Sequence, residues 1–207
     1  MHYLMYTYVD AVTGVALSAA AATNGPVAPA IDGLEFGFAL ESEYPTAVPR
    51  LFGTCPASPD TSTPGVLSVL TRVEYETALE TELEARFVRL REGLIQSNNR
   101  AYESAINDLT RDYPPSEIAT WERQRAEVIA WEADLASPTP WINLAASARG
   151  LDRVEYLNRT LAKVHAFAQA SAFLTGRRQG IDDAIRVAKT PAELSAIAID
   201  YTLPGGV

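Results

Sequence analysis

The chain has 207 residues, 47% of them hydrophobic, 26 acids against 17 bases and a net charge of −9. Such a balance supports a substantial core, and with no basic block it argues against nucleic acid as a partner, since phosphate contacts need clustered Lys and Arg. A single cysteine, Cys55, excludes a disulfide within the chain and any zinc site built on cysteines. No apolar run approaches the ~18–20 residues that cross a bilayer. The start, Met1 to Tyr6, lacks the basic and continuously apolar character of a secretory signal. The expectation is a soluble protein made in a reducing cytoplasm, with no membrane association and no cofactor or metal.

Charge divides the chain unevenly. Residues 1–70 carry a net −5, residues 71–135 a net −6 and residues 136–207 a net +2. Three regions follow as an expectation: a docking head (1–70), a long helix (71–112) and a helical domain (113–207). Tyr3 to Val9 is rich in aromatic and β-branched residues, as strands are. Asp10 to Gly14 reads as a turn, and Val15 to Ser18 resumes an extended pattern, which predicts a β-hairpin over 3–18. Ala19–Ala22 is read as the end of its second strand. Gly33 to Leu40 predicts a third strand. Five prolines in 44–65 predict an irregular loop with a short strand near Arg50–Thr54, and Val66–Leu70 predicts a last one.

Thr71 with Glu74 forms a capping box that opens a helix. Leu79, Leu83, Phe87, Leu90, Leu94, Tyr102, Ile106 and Leu109 continue it at spacings of three and four, apart from a polar gap at Gln96–Asn99. At 1.5 Å per residue, about 40 residues extend roughly 60 Å, so the stripe asks for a partner helix, from this chain or another copy. The gap is either a break or a polar layer that sets register. Ser116 is predicted to cap a helix to about Leu135, with Ile118, Trp121, Val128 and Ile129 inward. A short helix follows from Trp141 to Gly150. Another covers 152–175, with Leu157, Leu161, Val164, Ala168, Ala172 and Phe173 inward, and 177–189 either continues it or stands alone. Thr190-Pro191-Ala192-Glu193 opens the last helix. The fold class predicted is α+β, mostly α: a small N-terminal β-sheet head, one long helix, then a C-terminal helical bundle.

Chemistry is sparse. His165 and Cys55 lack catalytic neighbours at motif spacing and read as structural. Glu74, Glu76, Glu80, Glu82 and Glu84 are followed by arginines at 86, 89 and 91, which reads as a solvated, ion-paired face. No phosphate loop, nucleophile elbow or metal-binding His pair is present, so the expectation is a protein that is not an enzyme. Large aromatics and local cations remain as candidate partner contacts: Tyr3, Tyr6 and Tyr8 in the head, Trp121, Trp131 and Trp141 in the helical region, and the cluster Arg177-Arg178.

Two stretches carry a resemblance. Gly33 to Phe36, Glu41-Ser42-Glu43-Tyr44-Pro45-Thr46-Ala47-Val48-Pro49 and Phe52 to Pro56 resemble the start of small bacteriophage tail proteins. Tyr113-Pro114-Pro115-Ser116-Glu117, Trp121, Glu127, Trp131, Pro138-Thr139-Pro140, the Ala-rich helix, Gly176-Arg177-Arg178 and Thr190 to Leu194 resemble a helical domain at the end of phage tail-fibre and tail-fibre-assembly proteins. The resemblance implies a phage tail role for a protein made in the host bacterial cytoplasm, with other tail or fibre proteins as partners and the virion tail as its expected place. It implies either a structural component of the baseplate or fibre region or an assembly chaperone absent from the finished particle. The long apolar stripe and the charge layout add the expectation of a homo-oligomer.

Overall fold

A computed structural model describes residues 1–17, 26–38 and 51–204. The chain is α+β and mostly α. Among the described residues, six strands, β1 (His2–Tyr6), β2 (Val9–Asp10), β3 (Pro26–Val27), β4 (Glu35–Phe38), β5 (Leu51–Cys55) and β6 (Val66–Leu70), precede six helices. The helices are α1 (Arg72–Asp108), α2 (Pro115–Ile118), α3 (Trp121–Ala133), α4 (Pro140–Ala148), α5 (Arg153–Val187) and α6 (Pro191–Ser195). Where charge suggested three regions, the chain packs as two units, Met1–Arg86 and Phe87–Val207, and their boundary falls inside α1.

The first unit is built on an antiparallel sheet of order β4-β5-β1-β6. This corrects the predicted hairpin over 3–18 for its first strand, while the pairing nearest the turn forms. β1 pairs with β5 and β6, so its partners lie some fifty residues downstream. The expected turn does form: Asp10 Oδ1 accepts from the Val12 and Thr13 amides at 2.9 and 2.8 Å. It closes the tip of a short hairpin, in which Val9 bridges Ala16 antiparallel, Asp10 N donates to Val15 O and Leu17 N donates to Tyr8 O. Strand alternation splits the aromatics by face. Leu4 and Tyr6 point into a core with Tyr8, Leu51 and Cys55, while Tyr3 and Phe52 meet the ring of Tyr75, at 5.0 and 5.9 Å. Gly53 is the close-approach point of the sheet: a Cβ there would sit 2.9 Å from Glu35 O and 3.2 Å from the Tyr6 ring. Gly65, at φ +91°, turns the chain into β6 while its carbonyl accepts from Thr7 N. The readings on Ala19–Ala22, on 39–40 and on 41–49 lie outside the described residues.

The capping box predicted at the start of α1 is in place. Thr71 N and Oγ1 donate to Glu74 Oε2 at 2.8 and 2.7 Å, and Glu74 N donates to Thr71 Oγ1. That network holds the Glu74 carboxyl below its usual range. Helix α1 then runs unbroken through the polar gap.

In the second unit α1 is covered from within the chain. Phe87, Leu90, Leu94 and Ile95 pack against Ile181, Ile185 and Ala188 of the α5 end, Leu194 of α6 and the tail residues Ile197, Ile199 and Tyr201. A second core joins α3, α4 and α5 through Val128, Trp131, Ile142 and Leu157. The predicted helix over 116–135 divides into α2 and α3. Pro114, not Ser116, occupies the cap position, because Pro115 at the first helical position has no amide to lose. The Thr120 hydroxyl then donates to Glu117 O at 2.7 Å as that turn closes. Helix α5 continues unbroken past 177 and ends at Val187, two residues short of the predicted 189; it is opened by Asp152, whose carboxylate accepts from the Val154 and Glu155 amides. Its inward face differs from prediction. Leu157, Ala170, Leu174, Ile181 and Ile185 are buried, whereas Ala168, Ala172 and Phe173 are exposed.

Candidate partner-binding surfaces

Three of the eight candidate contacts are core residues. Tyr6 (0% exposed), Tyr8 (4%) and Trp131 (8%) are buried, so they present no surface to a partner. Tyr6 shares with Leu4 the face of β1 that turns to the core, and Tyr8, two residues beyond the strand, packs into the same cluster. Trp131 is held among Val128, Ile142 and Leu157. The other two indoles are partly covered. Trp121 stands edge-on between Tyr113 (5.0 Å) and Phe167 (5.7 Å), and Trp141 packs against the same core as Trp131. Tyr3, half-buried, spends one face of its ring on Tyr75.

Arg177 and Arg178 are anchored to their own chain. The Arg177 Nε donates to Asp200 O at 3.2 Å, and the Arg178 guanidinium lies 5.7 Å from the Tyr102 ring centroid while donating to Asn99 Oδ1. Both belong to a polar layer whose centre is Asn98, fully buried on α1. Its amide donates to the Arg178 carbonyl at 3.1 Å, and its Oδ1 accepts from the Tyr201 hydroxyl at 2.5 Å. Burial pushes the Tyr201 phenol above its ordinary value, against the pull of the Arg178 guanidinium. The four-residue polar gap therefore does not break the helix, and its one buried member, Asn98, is bonded to this chain's own α5 and tail. The sequence marked its place and not its partners, because Tyr201 is 103 residues away from Asn98.

A second buried device escaped the sequence. The N-terminus of α4 has no cap from Thr139. Instead Glu127, reaching from α3, accepts from the Trp141 and Ile142 amides with its two oxygens, at 3.1 and 3.0 Å. A carboxylate there meets both orphan amides and the positive end of the helix. Beside it Arg153 donates to Thr139 Oγ1 and Asn143 Oδ1 at 2.8 and 2.7 Å. The residues open to catalysis are similarly engaged. The Cys55 thiol is buried, donates to Ala57 O at 3.0 Å and is raised above its usual value by that burial. His165 Nε2 lies 3.4 Å from Glu132. Among the described residues, no three His, Cys, Asp or Glu side chains converge on one point.

The exposed large apolar side chains are dispersed. On the edge strand β6, Leu67 and Val69 are exposed, and in the helical unit so are Leu135, Leu144, Phe173 and Val187. Residues 162–199 match the family model of the HI1402 helical domain. That segment comprises most of α5, all of α6 and the tail as far as Ile199. No curated protein and no solved structure matches the chain. No helix among the described residues is long and apolar enough to cross a membrane.

Proposed function

We propose that this chain is a structural component of a bacteriophage tail, in the baseplate or fibre region, that works by contact with partner proteins and performs no catalysis. The observation that carries the reading is the organisation around α1. One continuous helix belongs in part to a sheet unit and in part to a helical unit, each with its own core. Such a chain offers two separately built surfaces on one polypeptide. The unit Met1–Arg86 holds 11 acids and three bases, net −8, and Phe87–Val207 holds 15 and 14, net −1. The two surfaces therefore select partners of different charge. The phage setting is supported by the sequence resemblance, and the absence of catalysis by the structural employment of Cys55, Asn98 and Glu127.

Composition of purified particles tests the reading. Mass spectrometry should find this chain at a fixed ratio to the tail proteins. Its presence in infected lysate bound to fibre protein, with none in the particle, would replace the structural role by that of an assembly chaperone.

A further inference from the structure

The segment after α6 is built differently from the helices around it. Residues 197–203 have no regular secondary structure, yet their side chains alternate. Ile197, Ile199, Tyr201 and Leu203 are part-buried, and Ala198, Asp200 and Thr202 are exposed. That is the pattern of an extended strand laid along a surface. Among the described residues, no backbone group of 198–203 pairs with another backbone group. Side chains hold the segment instead. Ile197, Ile199 and Tyr201 enter the core between α1 and the α5 end, and the Tyr201 hydroxyl donates to Asn98 Oδ1. The groove also grips the main chain, since Arg177 Nε donates to the Asp200 carbonyl. The one charge of the segment, on Asp200, is matched by that of Arg177. Alternate apolar anchors, a hydrogen bond to the backbone and a matching charge are the means by which a groove holds an extended peptide. The fit is incomplete: a cleft of about 340 Å³ lies between Ile197–Ala198 and α5 at Gly176 and Gly180, and a Cβ on either glycine would meet nothing within 4 Å.

We propose that the groove between α1 and the end of α5 is a peptide-binding site, that residues 197–203 close it from within the chain as a displaceable strap, and that it takes a partner's extended segment of the same pattern. That pattern is two branched apolar residues two positions apart, then an acid and a tyrosine. The occupant follows from the segment already seated, whose anchors show what the groove accepts. Opening breaks no backbone ladder and leaves the hydrogen bonds of the helices intact, as a local opening requires. Joined directly to α6, the strap faces its groove at an effective concentration of about a millimolar, so a free peptide competes poorly until the strap is weakened. The inference goes beyond the phage reading and does not rest on it.

The test uses the full chain and a fluorescein-labelled peptide of residues 196–204, read by fluorescence anisotropy. Ile199→Ser with Tyr201→Ser weakens the strap and leaves every groove residue on α1 and α5 in place. That variant should bind the peptide at micromolar concentration, and the wild-type chain should bind it at least tenfold more weakly. A peptide carrying Ile199→Ser should lose at least tenfold in affinity, and one carrying Tyr201→Phe about fivefold, the worth of one hydrogen bond. Indole fluorescence on heating separates a lost strap from a lost fold. A variant that keeps a cooperative indole transition and binds no peptide overturns the proposal, as does equal binding to the wild-type chain. A variant that loses the transition overturns it as well, because the segment would then be part of the core and not its cover.

Discussion

The two units bury their polar groups in different ways. In the sheet unit, alternation along β1 decides which residues are inside, and the ladder of backbone pairs with β5 and β6 absorbs the polar groups of the strands. In the helical unit the backbone is satisfied within each helix, so nothing in the ladder fixes how α1 lies against α5. That task falls to side chains: Asn98 to the Arg178 carbonyl and Tyr201, and Arg91 to the Ala188 carbonyl at 2.8 Å. Strands obtain their register from the main chain, whereas packed helices need a buried polar group that is satisfied in one alignment only.

The largest test of this contrast removes one fully buried leucine from each unit. Leu4→Ala and Leu157→Ala should each cost about 2–5 kcal/mol. All three tryptophans lie in Phe87–Val207, so indole fluorescence in a urea titration reports that unit. Leu157→Ala should move the fluorescence midpoint, and Leu4→Ala should move the tyrosine signal while leaving the indole midpoint in place. An equal shift of the indole midpoint by Leu4→Ala would mean that α1 couples the two stabilities.

Asn98→Leu comes next. It removes the side-chain acceptor of the Tyr201 hydroxyl and the extra donor to the Arg178 carbonyl in a buried site and should cost about 1–3 kcal/mol. In a background of Tyr201→Phe the same change should cost less, and a double-mutant cycle measures the difference. Additive effects would remove Asn98 from its register role. Glu127→Ala should cost about 1 kcal/mol by uncapping α4, seen as a shift of the indole midpoint and as amide exchange at Trp141 and Ile142. Unchanged exchange would show that water replaces the carboxylate without loss.

The smallest effects are those of pH, and their directions are opposed. Tyr201 has its phenol raised above the ordinary value near 10. Its contribution is intact below that value and is lost as pH rises through the folded one. Absorbance at 295 nm should show Tyr201 ionising late, and Asn98→Leu should alter that titration. Glu74, depressed by the Thr71 hydroxyl and amide, contributes above the unfolded value near 4.3 and loses its effect as pH falls through the lower folded one. Glu74→Gln should flatten that acid limb of the sheet unit without touching the alkaline one.

Local signals were legible wherever a short stretch contains its own reason. The Thr71–Glu74 box, the Thr190 cap with Pro191 behind it and the strands at 51–55 and 66–70 stand where spacing put them. The candidate contacts were less legible. Tyr3 and Tyr6 are of one residue type on one strand, yet one meets Tyr75 and the other enters the core. Which face is inside depends on β5 and β6, far along the chain. The inward face of α5 was misplaced for a related reason. The Ala-rich helix looks apolar on several sides, and only its contact with α1, α6 and the tail selects Ile181 and Ile185 as inward residues.

By itself the sequence determined the kinds of element, several of their starts and the α+β class, because caps, prolines and residue spacing act over a few positions. The tertiary structure alone decided that β1 is central, that Asn98 finds its partners on α5 and the tail, and that a carboxylate from α3 caps α4. Each joins groups distant along the chain, and the free energy of an unmet buried polar group, which selects one such pairing over others, exists only once the chain has closed around it.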